Sequence, residues 1–251
     1  MTRNPIRKVL LTLRSHNVRF LLIGGQACVF YGAAEFSRDT DIVILAEPAN
    51  MKKLSSALKS LDAEPIAVPP MSVKYLKKGH AVHFRCRHPD AESILIDVMS
   101  VLRGVASFPT LWRRRTTIET EDGEQYDIIS LPDLVRAKKT QRDKDWPMLR
   151  RLLEAYYVQN QQAPSNEQIR FLLMELRTPS LLIELASVYQ KVCNELARRR
   201  PLLGHARRGD DEALAQAMKQ EEWREREADR VYWLPLRKEL EQLRHKRKRR
   251  R

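Results

Sequence analysis

The sequence predicts a mixed α/β domain over residues 1–160 followed by an all-helical C-terminal region over 161–251. Three observations carry that prediction. Apolar runs of strand length, such as Phe20–Ile23 and Ile42–Ala46, alternate with helix-periodic segments in the first part. From Leu131 onward the apolar spacing is helical almost throughout. The polar, proline-bearing stretch from Gln161 to Ser165 is the expected domain seam.

Each element follows from local sequence. Asn4 and Pro5 supply a cap and a first-turn proline for a helix carrying Ile6, Val9, Leu10 and Leu13 on one stripe. Val18–Ile23 reads as a short buried strand that stops at Gly24 and Gly25. Gln26–Ala34 resumes helical spacing, Thr40–Ala46 is a second strand, and Pro48–Leu61 is an amphipathic helix. Prolines 65, 69 and 70 predict irregular chain. Ala81–Cys86 and Ser93–Met99 are further strands, and Thr116–Glu119 with Gln125–Ile129 flanks a hairpin turn. Pro132–Thr140, Asp145–Tyr157, Asn166–Arg177 and Ser180–Arg200 are four expected helices, with Leu181, Leu182, Leu185, Val188 and Val192 as bundle core. Glu212–Leu243 is helical in propensity, anchored by Trp223, Tyr232 and Trp233, and Pro235 is expected to kink or break it.

Composition narrows the function classes. With 43% hydrophobic and 31% charged residues among 251, the chain is expected to be globular rather than disordered. No apolar run approaches the ~20 residues of a membrane span. Residues 1–8 are not followed by the apolar core of a signal peptide, so no leader is expected. Three widely spaced cysteines, Cys28, Cys86 and Cys193, argue against a disulfide framework and for a reducing, cytoplasmic setting. The net charge of +14 divides equally between residues 1–160 and 161–251, and seven of the cations lie in the basic tail 244–251. Such a tail is either a solvated terminus or an arm for phosphates; the balance favours a polyanionic partner.

The stretch that carries chemistry runs from Leu22 to Ile44. A strand ends at Gly24 and Gly25, which let the backbone approach a ligand and open a helix whose free N–H groups favour an anion. Asp39 and Asp41 head the next strand, on one face and about 7 Å apart along the chain. Paired carboxylates repel unless a cation lies between them, and Mg²⁺, which takes oxygen ligands, suits that role. Asp97 interrupts the apolar strand Ile94–Met99, where an unpartnered carboxylate is costly. Should that strand lie beside the first, three acids converge as in two-metal phosphoryl or nucleotidyl transfer.

These residues carry a resemblance. Gly-Gly, a helix, Ser37-Arg-Asp39-Thr-Asp41 at a strand start and a later hydrophobic-Asp97-hydrophobic strand resemble the nucleotidyltransferase fold shared with DNA polymerase beta. Tyr31-Gly32 and the spacing from Ser37 to Asp41 are most similar to AbiEii-type abortive-infection and toxin nucleotidyltransferases. The segment from Ser130 to Asp145, with Asp133, Leu134, Lys138, Arg142 and Lys144, is similar to a second block of that family. The likeness covers roughly residues 15–160. It implies that Asp39, Asp41 and Asp97 are catalytic metal ligands, holding two Mg²⁺ ions. It implies that Gly24, Gly25, Ser37, Lys138, Arg142 and Lys144 bind a nucleoside triphosphate. Arg142, Lys144 and Asp145 fit a structural ion-pair cluster equally well. The sequence departs from the family at Glu35, where many relatives carry Arg.

The expected activity is transfer of a nucleoside monophosphate from a nucleoside triphosphate to a hydroxyl. RNA, for example a tRNA end, is the expected acceptor, in a toxin–antitoxin or phage-defence setting with a cognate antitoxin as partner. A small-molecule acceptor such as an antibiotic, and a catalytically silent nucleic-acid-binding scaffold, are the alternatives. His80, His83, Cys86 and His88 do not have zinc-site spacing and are expected at core edges or on the surface. The run Arg113–Arg115 suits a nucleic-acid groove and solvent equally.

Overall fold

In the computed structural model, residues 5–249 are described; Asn4 and the last two residues of the basic tail lie outside them. The described chain forms two compact units, one of residues 5–30, 34–137 and 232–249, the other of 31–33 and 138–231.

The first unit is built on α1 (Pro5–Ser15), β1 (Phe20–Leu22), α2 (Gly24–Phe30), β2 (Asp39–Ile44), α3 (Pro48–Ser60), β3 (Ala63–Pro65), α4 (Val73–Lys78), β4 (Val82–Cys86), β5 (Leu95–Met99), α5 (Phe108–Arg113), β6 (Thr116–Glu119), β7 (Gln125–Ile128) and α6 (Leu131–Ala137). Its strands form one seven-stranded mixed sheet in the order β3-β4-β5-β2-β1-β7-β6. β2 lies antiparallel to β1 and parallel to β5, while β1 pairs in parallel with β7. Ile42, Val43 and Ile44 are fully buried, as befits a central strand covered on both faces. The apolar stripes of α1 (Val9, Leu10, Leu13) and α3 (Leu54, Ala57, Leu58) are buried, and those two helices pack together. At its start β2 emerges from the core, with Asp39 exposed and Asp41 half-buried.

The expected mixed α/β class is what the chain adopts, and the differences are local. β3, α4 and α5 stand where irregular chain or no element was expected. All are six residues or shorter, below the length at which periodicity is legible. α4 depends on its ends: Ser72 Oγ accepts from the Tyr75 N–H, and Gly79 at φ +100° terminates it. The helix expected over Gln26–Ala34 instead starts at Gly24 and stops at Phe30. A turn at Gly32, φ +73°, follows it.

The second unit contains α7 (Asp145–Asn160), α8 (Asn166–Glu175), α9 (Pro179–Val188), α10 (Gln190–Leu196), α11 (Leu203–Arg208) and the first part of α12 (Asp211–Lys248). α8 starts with a capping box between Ser165 and Gln168. The single helix expected over Ser180–Arg200 is two, because Tyr189 leaves helical geometry at φ −109°, ψ 51°. Leu182 and Leu185 are core as expected, but Val188, the last residue of α9, is 65% exposed. Arg200 is almost wholly buried, donating to the Leu173 and Leu176 carbonyls and pairing with Glu221.

Pro235 lies inside α12, which continues past it, so of the kink or break expected there the break does not occur. The carbonyl that loses its helical partner belongs to Val231, a residue 61% exposed. Trp223 is exposed too and anchors nothing; in the C-terminal stretch of α12 Leu236 is the buried residue. Among the described residues no helix is long and apolar enough to cross a membrane. All three cysteines are buried and outside any disulfide.

Candidate active site

The sheet register decides where the acids go. β2 and β5 run in parallel with Asp41 directly opposite Asp97 and Asp39 opposite Leu95. In-register residues on neighbouring strands point to the same side, so Asp39, Asp41 and Asp97 share one face. The alternate residues Thr40, Ile42, Ile96 and Val98 are fully buried on the other. Asp41 and Asp97 are half-buried and Asp39 is exposed.

The two glycines are fitted to this acid strand. Gly24 has φ +65°, and a Cβ there would overlap the Asp41 carboxylate. Both the backbone conformation and the close approach therefore require glycine. The Gly25 N–H donates to Asp41 Oδ2 at 3.4 Å, and a Cβ on Gly25 would overlap Ser37 Oγ. The anion that these backbone amides meet is thus the protein's own carboxylate. Gln26 Nε2 donates to the Ser37 carbonyl at 2.9 Å, tying the loop before β2 to α2. Gly24, Gly25, Ser37, Asp41 and Asp97 accordingly form one neighbourhood in the first unit, with Asp39 at its edge.

One neighbour was not foreseen. His83 lies opposite Asp97 in the antiparallel β4–β5 pair, and its Nδ1 donates to Asp97 Oδ1 at 2.7 Å. The hydrogen bond to Asp97 holds the imidazole pKa above its ordinary value; burial works against this, and the charges of Asp97 and Asp41 add to it. The two carboxylates thus make this spot favourable for positive charge. The signal in the sequence was alternation, which places His83 on a different face from His80 and Cys86, but nothing in it set the strand pairing.

Lys138, Arg142 and Lys144 belong to the second unit. Lys138 Nζ pairs with Asp145 Oδ1 at 3.2 Å, and Asp145 also accepts from Thr140 Oγ1 at 2.6 Å. Arg142 and Lys144 are exposed. Around the acid strand, Glu35 is exposed and the Arg38 guanidinium stands 5.8 Å from the Phe36 ring.

The other clusters are engaged locally. His80 contacts Glu239 Oε2 at 2.9 Å, His88 accepts from the Asp90 N–H, and burial pushes the Cys86 thiol up to about 11. Of the arginine run, Arg114 makes two hydrogen bonds to the buried Asp133, and Arg115 pairs with Asp127 while covering the Trp112 ring.

The donor chemistry fits Mg²⁺: three carboxylates on one face, two of them laterally paired, beside amides brought close by glycine. As they stand, among the described residues no three such side chains converge on one ion-sized point. Asp97 and Asp41 are engaged with His83 and Gly25 respectively. Next to Ser37 a cleft of about 880 Å³ opens, walled by Phe36, Arg38, Tyr126 and the acids Glu35, Glu92 and Asp122.

No family model matches the sequence, and no curated protein matches it. Among solved structures, the solution structure of the antibiotic-resistance factor ANT(2'')-Ia, for which substrate-regulated conformation dynamics are described, aligns at 14% identity. The alignment covers 80% of this chain and 94% of that one, with a TM-score of 0.35. At that score the likeness is too loose to say anything of this chain's chemistry.

Proposed function

We propose that the chain is a Mg²⁺-dependent nucleotidyltransferase that moves a nucleoside monophosphate from a nucleoside triphosphate to a hydroxyl and releases pyrophosphate. The observation that carries the reading is the in-register pairing of Asp41 with Asp97, with Gly24 closed against Asp41. The sequence resemblance supports it independently.

In this reading Asp39, Asp41 and Asp97 would hold the ions, Asp39 and Asp41 on the side of the triphosphate and Asp97 on the side of the attacking hydroxyl. Bound Mg²⁺ supplies charge neutralisation on the phosphates and acidity at the hydroxyl. Gly24 and Gly25 bring the backbone within reach of the phosphates, and Ser37 fixes the loop that leads into Asp39. The Asp97 carboxylate takes the hydroxyl proton, and His83 Nδ1 keeps that carboxylate oriented. Lys138, Arg142 and Lys144 are assigned to phosphate neutralisation. Catalysis here is positioning and electrostatics rather than covalent chemistry.

For the acceptor, RNA in a toxin–antitoxin or phage-defence setting, with a separate antitoxin, rests on the sequence likeness and the net charge of +14. A small-molecule acceptor is favoured by one observation: the cleft beside Ser37 has the size of a small-ligand site, and Glu35, Glu92 and Asp122 give it an acidic rim. That rim suits a cationic, hydroxyl-bearing molecule. Incubation with α-labelled nucleoside triphosphates and Mg²⁺, with total RNA in one arm and aminoglycosides in the other, tests both. Label in one acceptor class, lost in Asp39→Ala, is the expected result. Equal labelling by Asp39→Ala would sink the catalytic assignment.

A further inference from the structure

A second cleft in the first unit, of about 570 Å³, is unlike the first. One wall is the apolar segment Ile66 to Val68; the other is the end of α12, presenting Arg244, His245, Arg247 and Lys248. Glu241 is the acid on that wall. Residues 241, 244, 245 and 248 follow the three- and four-residue spacing of a single helix face, with Arg247 one turn from Arg244. Arg244, Arg247 and Lys248 are exposed and make no ion pair among the described residues. Four other cations of the unit are paired instead: Arg7 with Glu124, Arg114 with Asp133, Arg115 with Asp127 and Lys78 with Glu239. Ile66 is 42% exposed at the opposite wall, an apolar surface open to the cleft.

A bare solvated terminus has charge without a facing wall. Here unpaired cations face an apolar wall across a gap of ligand size. From this juxtaposition we infer that the cleft is a subsite for single-stranded nucleic acid. Arg244 and Lys248 take two neighbouring phosphates, with Arg247 adding charge beside them, and the sugar or base face rests on Ile66 and Val68. The helical rise puts Arg244 and Lys248 about 6 Å apart along the axis, close to the step between phosphates of an extended strand. A concave site walled on both sides admits a chain, whereas a headgroup surface needs an open face. The phosphates contribute affinity without sequence preference, and the apolar wall contributes contact that inorganic phosphate cannot make. This site is independent of the acid pair on β2 and β5.

The test uses the full chain without nucleoside triphosphate or Mg²⁺, so that its failure is distinct from failure of the catalytic reading. Binding of labelled U12 and dT12 is measured by fluorescence anisotropy over a salt series, the two strands separating ribose from deoxyribose sources. Combined Arg244→Gln, Arg247→Gln and Lys248→Gln should weaken both by at least about tenfold and lower the log–log salt slope by about 2. The charge-matched control, Lys52→Gln, Lys53→Gln and Lys59→Gln on α3, should leave affinity within about twofold. Ile66→Ser should weaken the strands several-fold yet leave binding of inorganic polyphosphate unchanged. Equal losses in the control, no effect of Ile66→Ser on the strands, or phosphatidylserine vesicles binding as tightly as the strands and depending on the same cations would each overturn the subsite.

Discussion

At Gly24 the chain meets two demands at once, a positive φ and the Asp41 carboxylate filling the place of a side chain. Gly123, at φ +76° in the β6–β7 turn, meets only the first, since no atom lies within 4 Å of an added Cβ. Gly24→Ala should therefore cost about 2–3 kcal/mol of stability and Gly123→Ala about 1 kcal/mol. Urea denaturation measures both; equal losses would mean that Asp41 does not pack on Gly24. Asp133 is the other residue whose surroundings dictate it: 1% exposed, it accepts from Arg114 and from Ser130 Oγ. Asp133→Ala should lower stability by about 2 kcal/mol, because the Arg114 guanidinium and the serine hydroxyl lose their acceptor. An unchanged urea midpoint would contradict this. Sequence spacing put Asp39 and Asp41 on one face and joined Asp97 to them only if its strand lay alongside, which is the register that β2 and β5 adopt. It was silent on His83, because the partner of a strand is set by sheet topology rather than by local pattern.

At the scale of elements, α1 is tied to the β6–β7 hairpin by Arg7, which pairs with Glu124; Tyr126 OH also donates to Glu124. The hydrogen bond from Arg7, with help from Tyr126, holds the Glu124 carboxyl below its ordinary range. A depressed carboxylate contributes stability above its unfolded pKa and loses it as pH falls through the folded value. Arg7→Gln should therefore lower the denaturation midpoint at pH 7, by an amount that shrinks as the pH falls below the ordinary carboxylate range. A difference that does not shrink with falling pH would show that Arg7 acts through packing instead. In the helical unit, Arg200 closes the α8 carbonyl end and joins it to Glu221 on α12. Arg200→Met should speed hydrogen exchange in peptides spanning Leu173–Leu203 and leave peptides around Asp41 and Asp97 unchanged; no change in either region would contradict that role. Long periodic elements such as α3, α7 and α8 were legible because apolar spacing over ten or more residues is hard to mimic by chance. β3, α4 and α5 were not, since their existence depends on caps and neighbours. The break at Tyr189 was hidden because the apolar period runs on across it.

For the whole molecule, one sheet explains why the acids stood out in the sequence more clearly than the element boundaries did. β1 is wholly buried, and β2 and β5 each join buried apolar residues to an acid, so their acids stand out against apolar runs. The net charge of +14, by contrast, said little by itself. Internal pairs such as Arg114 with Asp133 and Arg177 with Glu221 leave it unchanged, so what matters is where the excess cations lie. What remains unpaired at the end of α12 is where a polyanion has something to hold. The central claim is that Asp41 and Asp97, brought into register by β2 and β5, hold a divalent cation for a nucleotide. Mn²⁺ binding followed by electron paramagnetic resonance, with and without a nucleoside triphosphate, addresses it most directly. The wild-type chain should bind Mn²⁺ more tightly when nucleotide is present, and Asp41→Asn and Asp97→Asn should each weaken that binding by at least about tenfold while retaining the wild-type circular dichroism. Folded variants that bind Mn²⁺ and nucleotide as the wild type does would contradict it.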